Sequence, residues 1–298
     1  MSSPPRHLLK DLSLSAIAAG FVTVLVGFAS SAVIVFQAAQ SLGASPEEIS
    51  SWMWALGLGM GLTCIGLSLR YRMPVVTAWS TPGAAMLIGS VAGLPLSDAI
   101  GAFLMSALLI AASGFSGFFE RMISRIPVSL ASGMLAGVLL RFGIDAFAAM
   151  KTQLGMVLTM FAVYLLARRL LPRYAVILTL LVGIAFAAGL GLLRVDGLSL
   201  QLAKPVFTTP TFSLAAIVGI ALPLFIVTMA SQNVPGVAVI RASGYAIPIS
   251  PVVGWTGLVN LLLAPFGAFA LNLAAITAAI CMGREAHEDA ARRYVAAI

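Results

Sequence analysis

Ten apolar segments separated by short polar connections decide what this chain is able to fold into. They cover residues 12–39, 52–69, 74–92, 99–119, 128–142, 152–167, 175–193, 212–240, 252–265 and 266–282. Several reach the roughly 20 residues that a helix needs to cross a hydrocarbon layer about 30 Å thick. With 60% apolar and 9% charged residues, a chain of 298 residues cannot close into a water-soluble domain. It reads as an all-α polytopic membrane protein. The net charge of +7 does not point to nucleic acid, because the basic residues fall in the connections rather than along one stripe.

One apolar segment carries the wrong punctuation for a plain spanning helix. Residues 73–92 begin M-P-V-V-T-A-W-S-T-P-G-A-A-M. Val75, Val76 and Thr77 favour extended chain, and Pro74 disfavours helix just before itself. Thr81 then stands where an N-cap belongs and Pro82 where the first helical residue belongs. The segment therefore reads as a strand of about six residues, near 20 Å, followed by a half-helix of about 16 Å. Broken backbone in lipid is tolerated only where it lines a cavity or is buried in protein. A half-helix N-terminus facing such a cavity suits an anion. Ser80 and Thr81 add hydroxyls at the break, and Gly83 leaves room for close approach.

The connections also set an orientation. If 73–92 crosses once, one side collects Arg6, Lys10, Arg70, Arg72, Arg121, Arg125, Arg168, Arg169, Arg173, Arg241, Arg284, Arg292 and Arg293. The other holds Lys151, Arg194 and Lys204, so the N-terminus is expected in the cytoplasm. The first apolar run is too long for a cleavable signal peptide and lacks a small-residue cleavage site.

The chain also repeats itself. Ala29-Ser30-Ser31 matches Ala230-Ser231-Gln232 at an offset of 201, which also pairs Val33 with Val234, Gly43 with Gly244 and Trp54 with Trp255. An odd number of crossings between the copies makes the second inverted. The repeat calls for a second broken element, supplied by F-G-A-F-A-L-N-L-A-A-I-T at 266–277. There 267–271 is the expected extended half, Asn272 the cap and 273–282 the half-helix, with Leu273 at its N-terminus. Residues 1–195 form the first seven-element repeat and 212–298 the first elements of the second. The second repeat stops after its third element, so roughly another hundred residues are expected beyond Ile298.

Two motifs carry a family resemblance. W-S-T-P-G-A-A at 79–85 and T-M-A-S-Q-N-V-P-G at 228–236 resemble the benzoate:proton symporter family, the BenE-type transporters. The resemblance spans essentially the whole chain. More distantly, the layout is similar to nucleobase and sulfate/anion permeases, built from seven plus seven inverted elements in core and gate domains. It implies import of benzoate or a similar aromatic carboxylate with a proton across a bacterial inner membrane. Two departures matter. The family is longer, so its last four elements, part of the gate domain, are expected beyond Ile298. Nucleobase relatives carry carboxylates in their eighth and tenth elements, whereas the corresponding places here lie near Ser231-Gln232 and Ile276.

The candidate substrate-binding residues follow from these readings. Ser231, Gln232 and Asn233 are three consecutive polar residues inside an apolar run, which is costly unless they face a cavity or partner helices. They offer amide and hydroxyl donors to a carboxylate, or helix–helix hydrogen bonds. Ser30 and Ser31 are their repeat counterparts. Trp79 and Phe269 are placed to sandwich an aromatic ring. Arg141 and Asp145, at i and i+4, read as an ion pair, with Asp145 the one remote proton relay on offer. Glu120 and Arg121 read as an interfacial anchor.

Other chemistries find little support. Gly114-Phe115-Ser116-Gly117 echoes an intramembrane serine protease motif, but the histidines, His7 and His287, lie in polar segments. Cys64 and Cys281 stand apart, with neither metal spacing nor a disulfide framework. The chain is thus read as a transporter and not an enzyme, without cofactor or metal. Its expected partners are the aromatic carboxylate, a proton and membrane lipid, with no nucleic acid and a homodimer left open. The competing readings are a channel or facilitator for small organic anions and a nucleobase-type permease.

Overall fold

Local signals start the helices where the sequence places them. The computed structural model describes residues 11–90, 94–123, 140, 144, 146–171, 174–193 and 202–298. Helix α1, Leu14–Ser41, opens on Ser13, whose hydroxyl accepts from the Ala16 N–H at 3.2 Å. Helix α2, Pro46–Tyr71, opens on a full capping box between Ser45 and Glu48, with Pro46 in its first turn. It ends at Arg72 in the left-handed region, φ 53°. The chain then runs through strand β1, Thr77–Trp79, into the short helix α3, Thr81–Ser90. Helices α4, Leu96–Phe115, and α5, Phe118–Ile123, follow. The pair α6, Met150–Leu170, and α7, Ala175–Gly189, packs mainly on itself, with α7 touching α1.

The second half repeats the order long helix, helix, strand, short helix. Helix α8 runs over Leu214–Ala242, α9 over Ile249–Leu263, β2 over Leu271–Leu273 and α10 over Ile276–Met282. A 3₁₀ turn at Ala290–Ala297 then folds back against α1. Among the described residues, six helices are long and apolar enough to cross a membrane. The structure is therefore that of a helical, multi-pass membrane protein.

Helix α8 is not uniform, and proline explains where. It widens into π turns at Ile217–Ala221 and at Met229–Asn233. Pro223 and Pro235 lack an N–H, and each ring crowds the carbonyl four residues earlier. Those carbonyls belong to Gly219 and Ser231, one inside each π turn. The widening relieves the clash, and it re-aims Gln232 and Asn233.

Two apolar clusters fill the interior. One gathers Trp52, Phe103 and Phe269, and the other Ile110, Phe119, Leu273 and Tyr294. Between them α4 and α9 pack at backbone contact, because any Cβ on Gly114 would overlap the Gly254 backbone. Without a hydrophobic force between helices in lipid, such close approach supplies the packing energy. Glu120 also ties α5 to α9. Its carboxylate accepts from the Ser250 N–H at 3.3 Å, at the N-terminal turn of α9, where negative charge is favoured.

Candidate functional site

The two broken elements meet. Strand β1 pairs antiparallel with β2, setting Thr77 opposite Leu273, Ala78 opposite Asn272 and Trp79 opposite Leu271. Bonds from Ser80 N–H to the Ala270 carbonyl, 3.1 Å, and from Ala274 N–H to the Val76 carbonyl, 2.9 Å, extend the ribbon at both ends. Side chains satisfy backbone edges that lipid could not. The Leu273 N–H donates to Asn233 Oδ1 at 2.9 Å, and the Thr77 N–H to Cys64 Sγ at 3.2 Å. The Thr63 and Thr77 hydroxyls lie 2.6 Å apart.

Beside this ribbon lies a cavity of about 640 Å³. Helices α1 and α2, strand β1, residues 274–277 leading into α10 and the end of the 3₁₀ segment form its walls, with Thr81 of α3 and Gln232 of α8. The apolar wall includes Phe21, Phe28, Met60, Ile65 and Trp79, and the polar groups include Ser30, Ser31, Thr81, Gln232 and Thr277. None of the described lining residues is charged. The Trp79 indole N–H donates to the Ser31 hydroxyl at 3.0 Å, and the Phe28 ring meets the indole edge-on with centroids 4.9 Å apart.

The structure distributes the expected site residues unevenly. Ser30, Ser31, Trp79, Thr81 and Gln232 line the cavity, so the repeat-related pair Ser31 and Gln232 faces one space. Ser231 is exposed and does not line the cavity. Asn233 is fully buried and committed to the Leu273 N–H and the Met229 sulfur. Phe269 does not face Trp79. It is fully buried against Trp52 and Phe103, with centroids 5.7 and 5.5 Å away. Asp145 and Arg141 lie outside the described residues.

Both cap assignments shift. Ser80, not Thr81, caps α3: its hydroxyl accepts from the Gly83 N–H at 3.1 Å and its carbonyl from the Ala84 N–H at 2.8 Å. Pro82 is thereby the second helical residue, and the Thr81 side chain is released to the cavity. Asn272 does not cap α10. It sits in mid-strand, its amide donating to the Ala270 carbonyl at 3.0 Å, and the helix starts at Ile276. Leu273 is accordingly a strand residue. Gly83 faces protein rather than cavity, since a Cβ there would come within 2.6 Å of Leu224 Cδ1.

Several lining residues carried no sequence signal of their own. Phe28, Gly57, Gly61 and Cys64 belong to helices apolar on every face, and periodicity cannot say which face meets a cavity. Gly57 and Gly61, one turn apart on α2, were the available clue.

Comparison with known proteins completes the picture. The family model described as "Benzoate membrane transport protein" (BenE) matches residues 10–298. The chain is similar to the "Inner membrane protein YdcO" of Escherichia coli (strain K12), with 48% identity over 296 residues. That match covers 99% of this chain and 73% of the relative. It is also similar to the "Benzoate membrane transport protein" of Acinetobacter baylyi (strain ATCC 33305 / BD413 / ADP1), at 39% identity over 298 residues. Here all of this chain and 76% of the relative are covered.

Proposed function

The chain belongs to the BenE benzoate membrane transport family, a family of transporters and not enzymes, and we propose that it imports benzoate or a similar small aromatic carboxylate together with a proton. The observation that carries this reading is the cavity beside the paired strands, whose lining combines aromatic rings, Phe21, Phe28 and Trp79, with the hydroxyl and amide groups of Ser30, Ser31, Thr81, Gln232 and Thr277. Its size suits a small ligand, since such sites run from about 300 to 1,000 Å³.

The carboxylate would lie toward Thr81, Gln232 and the backbone at 274–277, and the ring against Phe28 and Trp79. With no charged side chain among the described lining residues, neutralisation falls to oriented dipoles. The N-terminal turn of α3 supplies about half a positive charge. The proton then travels largely with the substrate, as the neutral acid or with Asp145 as a remote relay. The antiparallel strand pair supports a site built from two inverted repeats, 1–195 and 212–298. The excess of Arg and Lys in the connections on the N-terminal side supports an N-terminus in the cytoplasm of a bacterial inner membrane.

Uptake of labelled benzoate into vesicles, with and without an imposed proton gradient, tests this. Accumulation should follow the gradient and stop when it is collapsed. Accumulation indifferent to the gradient overturns symport, and equilibration without accumulation marks a facilitator.

A further inference from the structure

Two glycines on α2 line the cavity, and they differ in what stands before them. A Cβ on Gly57 would meet the tip of the Phe28 ring, Cζ at 3.8 Å. One turn on, a Cβ on Gly61 would meet nothing within 4 Å. Both residues lie on the wall shared with Met60, Cys64 and Ile65. Phe28 thus bridges from Trp79 to α2 at Gly57, and beyond its edge the helix is bare backbone at Gly61. Phe28 is itself held, because its partner Trp79 is only 3% exposed and is anchored to Ser31 by the 3.0 Å indole bond. A fixed aromatic edge next to bare helix backbone makes a slot with one flat side, which suits a planar ring.

We propose that the ring of the transported acid lies in this slot, flat against α2 at Gly61, and that Gly61 sets which ring substituents are accepted. The inference rests on the aromatic-carboxylate reading above and adds a residue for specificity. Because space rather than protein stands before Gly61, a methyl group there occupies the slot without displacing a neighbour, and the isopropyl group of valine reaches further into it. Alanine also favours the helix over glycine, so the milder variant keeps the fold. Gly66 supplies the control. It lies on the same helix with nothing within 4 Å of its Cβ, but it does not line the cavity.

The test compares benzoate with 4-methylbenzoate binding to the purified full chain, for the parent, Gly61→Ala, Gly61→Val and Gly66→Val. A single methyl group in a closed apolar pocket changes discrimination by about 10- to 200-fold. Gly61→Val should therefore weaken 4-methylbenzoate at least tenfold more than benzoate, with Gly61→Ala in between and Gly66→Val like the parent. An unchanged ratio in both Gly61 variants, with parental melting temperatures, overturns the assignment of Gly61 alone. A parent that binds neither acid overturns the aromatic-carboxylate reading itself, and that result is read before any variant is compared.

Discussion

Trp79 and Ser31 are joined by a 3.0 Å hydrogen bond that ties the end of strand β1 to the middle of helix α1. Both residues are nearly buried, with Ser31 7% and Trp79 3% exposed. The bond holds the indole as a wall of the cavity and leaves the Ser31 hydroxyl bonded in turn to the Gly27 carbonyl, 3.2 Å away.

Ser31→Ala should therefore act before any substrate is present. An orphaned indole N–H costs about 1–3 kcal/mol. The melting temperature of the ligand-free protein should fall, and benzoate affinity should fall with it. Ser31→Thr should restore both. An alanine variant that loses affinity at an unchanged melting temperature would show the hydroxyl binding substrate directly.

Gln232 faces the cavity from the π turn of α8. Gln232→Leu should weaken benzoate by about 1–3 kcal/mol, the worth of a hydrogen bond to a charged group. Gln232→Glu should weaken it much more at neutral pH, and partly recover as pH falls and the new carboxyl is protonated. Isothermal titration of benzoate across pH checks this. Parental affinity of the glutamate variant at neutral pH removes Gln232 from the carboxylate end.

Asn233 serves the scaffold. Its Oδ1 is the acceptor for the Leu273 N–H, so Asn233→Ala should lower stability by about 1–3 kcal/mol by leaving that strand donor unpaired. Asn233→Asp keeps the acceptor and should lose less. Thermal melts in detergent rank the two, and alanine no worse than aspartate would count against this role.

At the far end of α2, Tyr294 donates to Asp11 at 2.8 Å and accepts from Arg72 at 2.6 Å. Burial pushes the Tyr294 hydroxyl up, and Asp11 adds to the rise while Arg72 opposes it. A raised value in the folded state gives stability that is fully present below the unfolded value, about 10, and lost as pH rises above it. Melting temperature should thus decline from about pH 10 upward. Tyr294→Phe should start lower and decline less steeply, keeping the share due to Tyr245, which burial also pushes up. Equal slopes in parent and variant would refute it.

The sequence made the first break legible because two prolines and a β-branched run conflict within one apolar segment. Even so, the cap moved from Thr81 to Ser80, since both hydroxyl residues precede the helix and only geometry chooses between them. Symmetry located the second break, but Asn272 misled. An asparagine before an apolar run looks like a cap, whereas here the strand continues past it and the helix begins at Ile276. Phe269 misled for a similar reason, because alternation along an extended chain fixes which neighbours share a face but not which face is the cavity. Gln232 was findable as a costly amide in lipid. Its neighbour Asn233 carries the same signal and spends it on a backbone donor.

The strand pair also has a timetable. Residues 77–79 find their partners in 271–273, about two hundred residues later in synthesis. At about 5–20 residues per second, β1 waits roughly 10–40 s in the membrane with its hydrogen-bonding edge open. Thr63, Cys64 and Ser68 of α2 are made before β1, and in the folded chain they bond Thr77 and Val75 from the neighbouring helix. Those side chains give β1 partners on the helix made just before it, independent of the strand that is made so much later.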